Sequence, residues 1–418
     1  MKITDVELIR INPKLASRNA NQKPRFSGID TQTIFKVTTD NGIIGYGDCR
    51  GHVDMSDQEI DRLIDRTPFD FINADLGTGL MGALYDVMGK HLEVPAYKLM
   101  GQKVRDRVPV AAWTRPASPE DLAAEVQRAV KEGYMIFKMH TCEYYDVLEQ
   151  NRAVEEVVPD GFKMHYDFNH NRPAAAVFRL VDVLEKSPVV GILEDPLVWS
   201  DIEGWKRLRE QTKIPLLMHV PQLGGGPEIM YGCADLYMIG EQGIGLSIKR
   251  GFACAEARVS TVIQLTGGTL CKAMALHLGA VIPNVSHTTN LDDQYDEDVT
   301  GGRIEVEEGS SPVPEGPGLG VEVDEEELAR IAMNPRTELP RFIGRLRLPG
   351  GHIYYTIGYP AVSRFTGFPE GNIRGIRLEI WEEDGTPQWQ QIYDQVDRQG
   401  PFMRKEQAQS AGSPARGY

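Results

Sequence analysis

Between Tyr134 and Val220 the chain reads MIFKMH (Met135–His140), FKMHYDFNH (Phe162–His170), VVGILEDP (Val189–Pro196) and IPLLMHV (Ile214–Val220). Each run is short, apolar and ends in polar residues. The segments between them, Tyr145–Val158, Pro173–Lys186 and Asp201–Thr212, have helical character. Strand and helix alternating at this spacing indicate βα units and a parallel sheet. Every polar cluster falls at the C-terminal end of its strand, where a closed (β/α)8 barrel carries its chemistry.

Working outward, Val108–Trp113 supplies a strand before the stretch, followed by an amphipathic helix over Pro119–Glu132 with Leu122, Val126 and Val130 in step. After it come apolar runs at Leu236–Ile239, Ser260–Leu265 and Ala280–Val285, with helices expected at Ser247–Ala257 and Leu270–Leu278. That makes eight strands. The expected fold is an α/β (β/α)8-type barrel with an N-terminal α+β capping (lid) domain and an appended C-terminal β-rich segment. The cap is placed at 1–107, the barrel at 108–300, and a segment returning to the cap at 301–343. The β-rich segment is placed at 344–400 and a disordered tail at 401–418. In the cap, Lys2–Asn12, Thr33–Thr39 and Ile43–Tyr46 read as strands, with a turn at Asp40-Asn41-Gly42, and Phe69–Met100 as helical. Asp324–Met333 reads as a helix.

Composition narrows the function. The 418 residues are 41% hydrophobic and 25% charged, with a net charge of -15 and no basic run. This argues against a nucleic-acid surface, while a local cationic pocket remains compatible with a small acidic substrate. No apolar run approaches the roughly 20 residues that a membrane helix needs. Five scattered cysteines without a CxxC pair fit reduced thiols in a cytoplasmic protein.

Lys138 and His140 share a strand face, as do Asp167 and Asn169 on the next strand; Glu194 ends the third. Lys138 is a fixed cation. His140 can move a proton, and the ammonium beside it favours its neutral form. Carboxylates at two adjacent strand ends suit a hard divalent cation, with His219 the third candidate ligand. Each acid also has a plainer reading, as a helix N-cap or a loop ion pair. His165 lies one layer deeper and reads as a packed core histidine; His170 and His52 read as loop residues. His287 and Glu241 can reach the mouth from later strands. Ala16–Gly28, with Arg18, Lys23 and Arg25, is either a solvated loop or a lid whose cations meet an anionic substrate.

With these residues in view, the chain resembles the enolase superfamily, in its mandelate racemase and muconate lactonizing enzyme branch, over roughly residues 1–335. The resemblance is carried by Phe35–Asp48, Ala83–Lys90 with Pro95 and Leu99-Met100-Gly101, and Pro317–Val323. It implies proton abstraction beside a carboxylate, a divalent metal (Mg2+ most of all, with Mn2+ or Zn2+ as alternatives) and a Lys or His base. It also implies a small carboxylate substrate and a homo-oligomer. By position, Asp167 and Glu194 match metal ligands, and Lys138 matches the first Lys of a Lys-x-Lys pair. Three departures stand out. His140 replaces the second Lys, His219 stands where a third carboxylate is expected, and TVIQLTGG (Thr261–Gly268) lacks a racemase histidine. These imply an altered site with one base, His140, and His287 as the acid. Asn169, Arg25 and Glu241 are the expected substrate contacts. The expected reaction is dehydration of a sugar acid. A binding-only relative and a racemase with unusual bases are the alternatives.

Overall fold

A computed structural model describes residues 1–16, 29–170, 172–221, 226–336, 338, 340–359 and 373–405. The cap opens with β1 (Ile3–Ile11), β2 (Gln32–Thr39) and β3 (Ile44–Arg50), an antiparallel sheet in that order. A short helix, α1 (Asp57–Asp61), follows, then α2 (Thr78–Leu92), whose face is buried from Gly79 to Gly89 against β3. The approach is close because both partners are small: a Cβ on Gly47 would lie 2.1 Å from the Gly79 carbonyl oxygen. The expected long helix over Phe69–Met100 is three pieces instead. Single 3-10 turns at Pro68–Phe71 and Ala96–Leu99 flank α2. Glu93, with φ 55°, ends α2 in the left-handed conformation, and Pro95 follows.

The barrel is formed by β4 (Arg107–Thr114), β5 (Ile136–His140), β6 (Lys163–Asp167), β7 (Val190–Glu194), β8 (Leu216–Met218), β9 (Leu236–Gly240), β10 (Ser260–Gln264) and β11 (Val285–Thr289). All neighbours are parallel, and β11 pairs with β4 to close the cylinder. The connecting helices are α3 (Pro119–Lys131), α4 (Val147–Glu155), α5 (Ala174–Leu184), α6 (Ile202–Gln211), α7 (Gly226–Tyr231), α8 (Ile244–Glu256) and α9 (Thr269–Val281). The stripe Leu122, Val126, Ala129 buries α3 against the barrel, and Ser118 caps it with Pro119 at its first position. The eighth strand starts at Val285; Ala280 and Val281, expected to begin it, complete α9. Apolar runs of this length do not distinguish a buried helix end from a buried strand.

After β11 the chain returns to the cap. The short strand β12 (Ser310–Pro312) pairs antiparallel with β4, and Gly318 bridges Pro95. α10 (Glu325–Ala332) packs beside β1. The C-terminal unit is a four-stranded sheet in the order β15-β13-β14-β16: β13 (Phe342–Leu348), β14 (His352–Ile357), β15 (Arg377–Glu382) and β16 (Phe402–Lys405). It also contains a 13-residue helix, α11 (Pro387–Gln399), which a purely β-rich reading of the segment did not anticipate. Trp389, Ile392 and Val396 of α11 pack on Ile343 from one face of the sheet. The opposite face, with Leu346 and Leu378, covers Cys142 and Tyr145 in the loop after β5. Tyr145 Oη donates to the Leu378 carbonyl at 3.2 Å, and Asp146 accepts from Arg374 Nη1 at 2.6 Å. The unit is therefore clamped to the barrel mouth, one loop away from His140. The tail expected over 401–418 begins instead with an ordered strand, β16, and its remainder from 406 lies outside the described residues.

Candidate active site

Six of the eight strand ends, those of β5 to β10, bring polar side chains to the same end of the barrel. Lys138 of β5 is fully buried. Its Nζ lies 2.7 Å from Glu194 Oε2, 3.4 Å from Asp167 Oδ2 and 2.8 Å from Gln264 Oε1, which accepts from it across the barrel. An ammonium taken out of water is tenable only beside such partners. Lys138 is pulled in two directions: burial acts against its charge, while Glu194 and Asp167 raise its pKa overall. Glu194, equally buried, is held well below the usual carboxylate range; burial opposes this, and Lys138, His165 and His219 outweigh it.

Asp167 serves no helix start. Its Oδ1 accepts from Asn169 N at 2.8 Å, its Oδ2 faces Lys138 and His140, and α5 has Pro173 at its N-cap, with no side-chain cap. Asn169, in the left-handed region at φ 52°, turns its amide back so that Oδ1 lies 2.9 Å from His140 Nδ1. That contact fixes the proton on Nδ1 and leaves Nε2 as the basic nitrogen. Burial lowers the His140 pKa to about 4, with Lys138 and Arg115 adding to the effect against Asp167. The ring is therefore neutral at ordinary pH and rests edge-on to Trp113, centroids 5.5 Å apart.

His219 Nδ1 lies 3.0 Å from Glu194 Oε1, and its Nε2 is 3.8 Å from Glu241 Oε2. Glu241 also accepts from Thr266 Oγ1 at 2.5 Å, and it lines a cavity of about 740 Å³ between cap and barrel together with Arg50, Arg62 and Phe35. Arg25 lies outside the described residues, as does the rest of the expected lid beyond Ala16.

His287 is not at the mouth. It is fully buried in the barrel interior, with its Nε2 3.1 Å from His165 Nδ1 and its Nδ1 3.1 Å from Ser286 Oγ. His165 in turn places Nε2 2.7 Å from Glu194 Oε2. The expected acid therefore reaches the site only through His165. Burial, together with the neighbouring His165 and Lys138, holds its pKa well below the ordinary value, which does not suit a proton donor. His165 is buried, as read from its register, but it is also a support for Glu194. Its position on the same face as Asp167 was the available signal.

Asp195 was not singled out in the sequence. Its left-handed φ of 44° folds it back beside the mouth, where Oδ1 accepts from His219 N at 2.9 Å. Glu194, Asp195 and His219 offer ligand atoms that all lie within 4.8 Å of one another. Asp167 is not in that group, although it pairs with Glu194 in register across the neighbouring strands. Two carboxylates and an imidazole suit a divalent cation. Both Glu194 oxygens are buried and, despite the 2.7 Å contacts, neither is met along a well-directed hydrogen bond, which leaves lone pairs for a metal. The donor set therefore fits the group. Gln264 was likewise missed; the sequence showed only what TVIQLTGG lacked.

The same groups set a pH dependence. Burial raises Asp195 to about 8, with the charges of Glu194 and Asp167 adding to it. For His219, burial acts downward, but Glu194 carries it up to about 9. Both folded values exceed the ordinary 3.8 and 6.5, so the stabilisation is complete below those values and is lost as pH rises through about 8 and 9. Ligation needs both groups deprotonated. Chelator-treated protein is expected to melt at lower temperature at pH 9 than at pH 6.5. The rise in Tm on adding Mg2+ or Mn2+ should grow over the same interval. Calorimetry at a series of pH values checks this, and a metal-induced rise independent of pH would contradict it.

The sequence profile of the family described as "Enolase C-terminal domain-like" matches residues 121–221 and 233–327. A D-galactonate dehydratase of Variovorax paradoxus is 29% identical over 291 residues, covering 62% of this chain and 73% of that protein. An N-succinyl-L-Arg/Lys racemase of Bacillus cereus is 22% identical over 379 residues, covering 80% of this chain and 98% of the relative. Among solved structures, the muconate lactonizing enzyme from Pseudomonas putida superposes with a TM-score of 0.65 at 20% identity. It covers 79% of this chain and 99% of that one, so a fifth of this chain has no counterpart there.

Proposed function

Because the chain belongs to the enolase superfamily, in its mandelate racemase and muconate lactonizing enzyme branch, we propose that it removes the proton beside the carboxylate of a hydroxy acid, a sugar acid, and eliminates water to give a 2-keto acid. The observation that carries this reading is the convergence of Lys138, Asp167 and Glu194 beneath a neutral His140 whose Nδ1 is committed to Asn169. His140 Nε2 accepts the α-proton. The electron pair it leaves forms the carbon–carbon double bond as the β-hydroxyl departs, taking from His140 the proton just accepted to leave as water, and the resulting enol tautomerises to the ketone. Asn169 keeps the imidazole in the accepting tautomer, and His165 orients Glu194. Glu194, Asp195 and His219 would hold a divalent cation, which, when bound, offsets negative charge developing on the substrate carboxylate. His287 has no part as an acid in this reading, because its ring stands behind His165.

The reading is tested by incubating the metal-loaded protein with a panel of acid sugars and assaying 2-keto acid. A relative named D-galactonate dehydratase makes aldonates the first choice. Formation of 2-keto acid that stops on chelation supports the reading, and a panel without product under Mg2+, Mn2+ or Zn2+ overturns it.

One observation favours a second reading, a relative that binds its ligand without turning it over. Lys138 and a protonated His219 already balance Asp167 and Glu194, so the site is electrically satisfied by its own side chains. Ligand binding without metal uptake or product would favour it. The racemase alternative, suggested by the Bacillus cereus relative's name, predicts α-deuterium exchange without elimination. The lack of a histidine at the end of β10, where Gln264 stands, counts against a second base.

A further inference from the structure

Arg115 follows the last residue of β4, and since Thr114 pairs with Met139, it stands beside His140 on the rim of the mouth. Its guanidinium lies over the Trp113 ring, 5.3 Å from the centroid, on the same indole that carries His140 edge-on. Its Nε is shielded from solvent and has no hydrogen-bond partner, and no described residue forms an ion pair with it. Burial lowers its proton affinity, and the foremost charge acting on it is another cation, Arg50 of the cap. A half-buried guanidinium whose foremost charged neighbour is another cation is costly to keep, and no described carboxylate is placed against it.

We propose that Arg115 is the anchor for a second anionic group on the substrate, carried at the end away from the reacting carboxylate. The substrate class is then a sugar diacid or a terminally phosphorylated sugar acid. This rests on the dehydration reading for the identity of the first carboxylate, and on nothing else in it. The planar fork of Arg115 matches either a carboxylate or a phosphate through two parallel N–H···O bonds. Trp113 supports the fork from below and fixes its distance from His140. Arg50, on the strand that also donates its backbone N–H to the Thr266 carbonyl at 2.8 Å, brings the cap's charge to the same side. Arg115 is a binding residue in this scheme and takes no part in the proton transfer.

The test is calorimetric titration of the full-length, Mg2+-loaded protein with matched six-carbon acids: gluconate against glucarate, galactonate against galactarate, and gluconate against 6-phosphogluconate. At least one doubly anionic member of a pair is expected to bind about tenfold or more tightly than its monoacid. The pair in which this occurs identifies the second group as carboxylate or phosphate. Arg115→Met should bring that ratio to near one, and Arg115→Lys, which keeps the charge but loses the fork, should leave an intermediate ratio. If the Met variant does not fold, the Lys variant and the parent ratio decide. Equal affinities within every pair, an unchanged ratio in either variant, or no binding of any acid by folded protein overturns the proposal. A preference found without 2-keto product would leave the anion anchor standing and remove the dehydration reading.

Discussion

Lys138→Met is expected to destabilise the fold by about 3–5 kcal/mol, the range for removing one partner from a buried ion pair, and to abolish turnover. Lys138 has no exposed surface, and two carboxylates, Glu194 at 2.7 Å and Asp167 at 3.4 Å, depend on its charge. Methionine fills much of the same volume, so the loss is of charge and not of packing. The deficit should depend on pH in a defined direction. In the parent, the pKa of Glu194 is held well below its ordinary 4.5, so its contribution is present above about 4.5 and fades as pH falls through the lower folded value. In the variant, the unpaired carboxylates gain from protonation. The gap in stability between parent and variant should therefore narrow below pH 4.5. Thermal melts of both proteins from pH 4 to 8 check this, and a variant that melts with the parent at pH 7 would show that Lys138 does not organise the site.

His140→Asn should lower kcat by about a thousandfold, in the middle of the range for loss of a general base, with little change in Tm or metal content. His140 is partly exposed at the mouth and is not among the three groups that lie within ligand distance of one another. Its lowered pKa, about 4, also predicts where the acid limb of the kcat/KM profile falls. A histidine whose folded pKa lies below the ordinary 6.5 is already deprotonated at pH 6, so activity should hold down to about pH 5 and fail near 4. An acid limb centred near 6.5, or a variant that keeps a tenth of the parent kcat, would assign the base elsewhere.

The barrel could be read from the chain because period and punctuation agree there. MIFKMH and VVGILEDP are too short for helices and too apolar for loops, and each is followed by a polar cluster and a helical segment. Lys138 and Asp167 were also legible, since parity on a strand fixes a shared face. What escaped depended on contacts across the cylinder. Gln264 meets Lys138 from the far wall at 2.8 Å, and no local pattern in TVIQLTGG announces it. Asp195 depends on a left-handed residue just past a strand, which reverses the parity argument that held for Glu194. His287 was misplaced for a similar reason: its height in the barrel is set by register with β4 and β10, which the chain alone does not display. The 13-residue helix in the C-terminal unit was hidden by the aromatic and β-branched residues around it.

The C-terminal sheet has a consequence for how this protein can be handled. Leu346 and Leu378 shield Cys142 and Tyr145, and Arg374 holds Asp146, all within the loop that follows the His140 strand. Trimming the chain to the length of its structural neighbours would bare that greasy seam and unfasten the hinge beneath the proposed base. A shortened version should therefore be judged as a different catalyst, not as the same one with its trailing ornament removed.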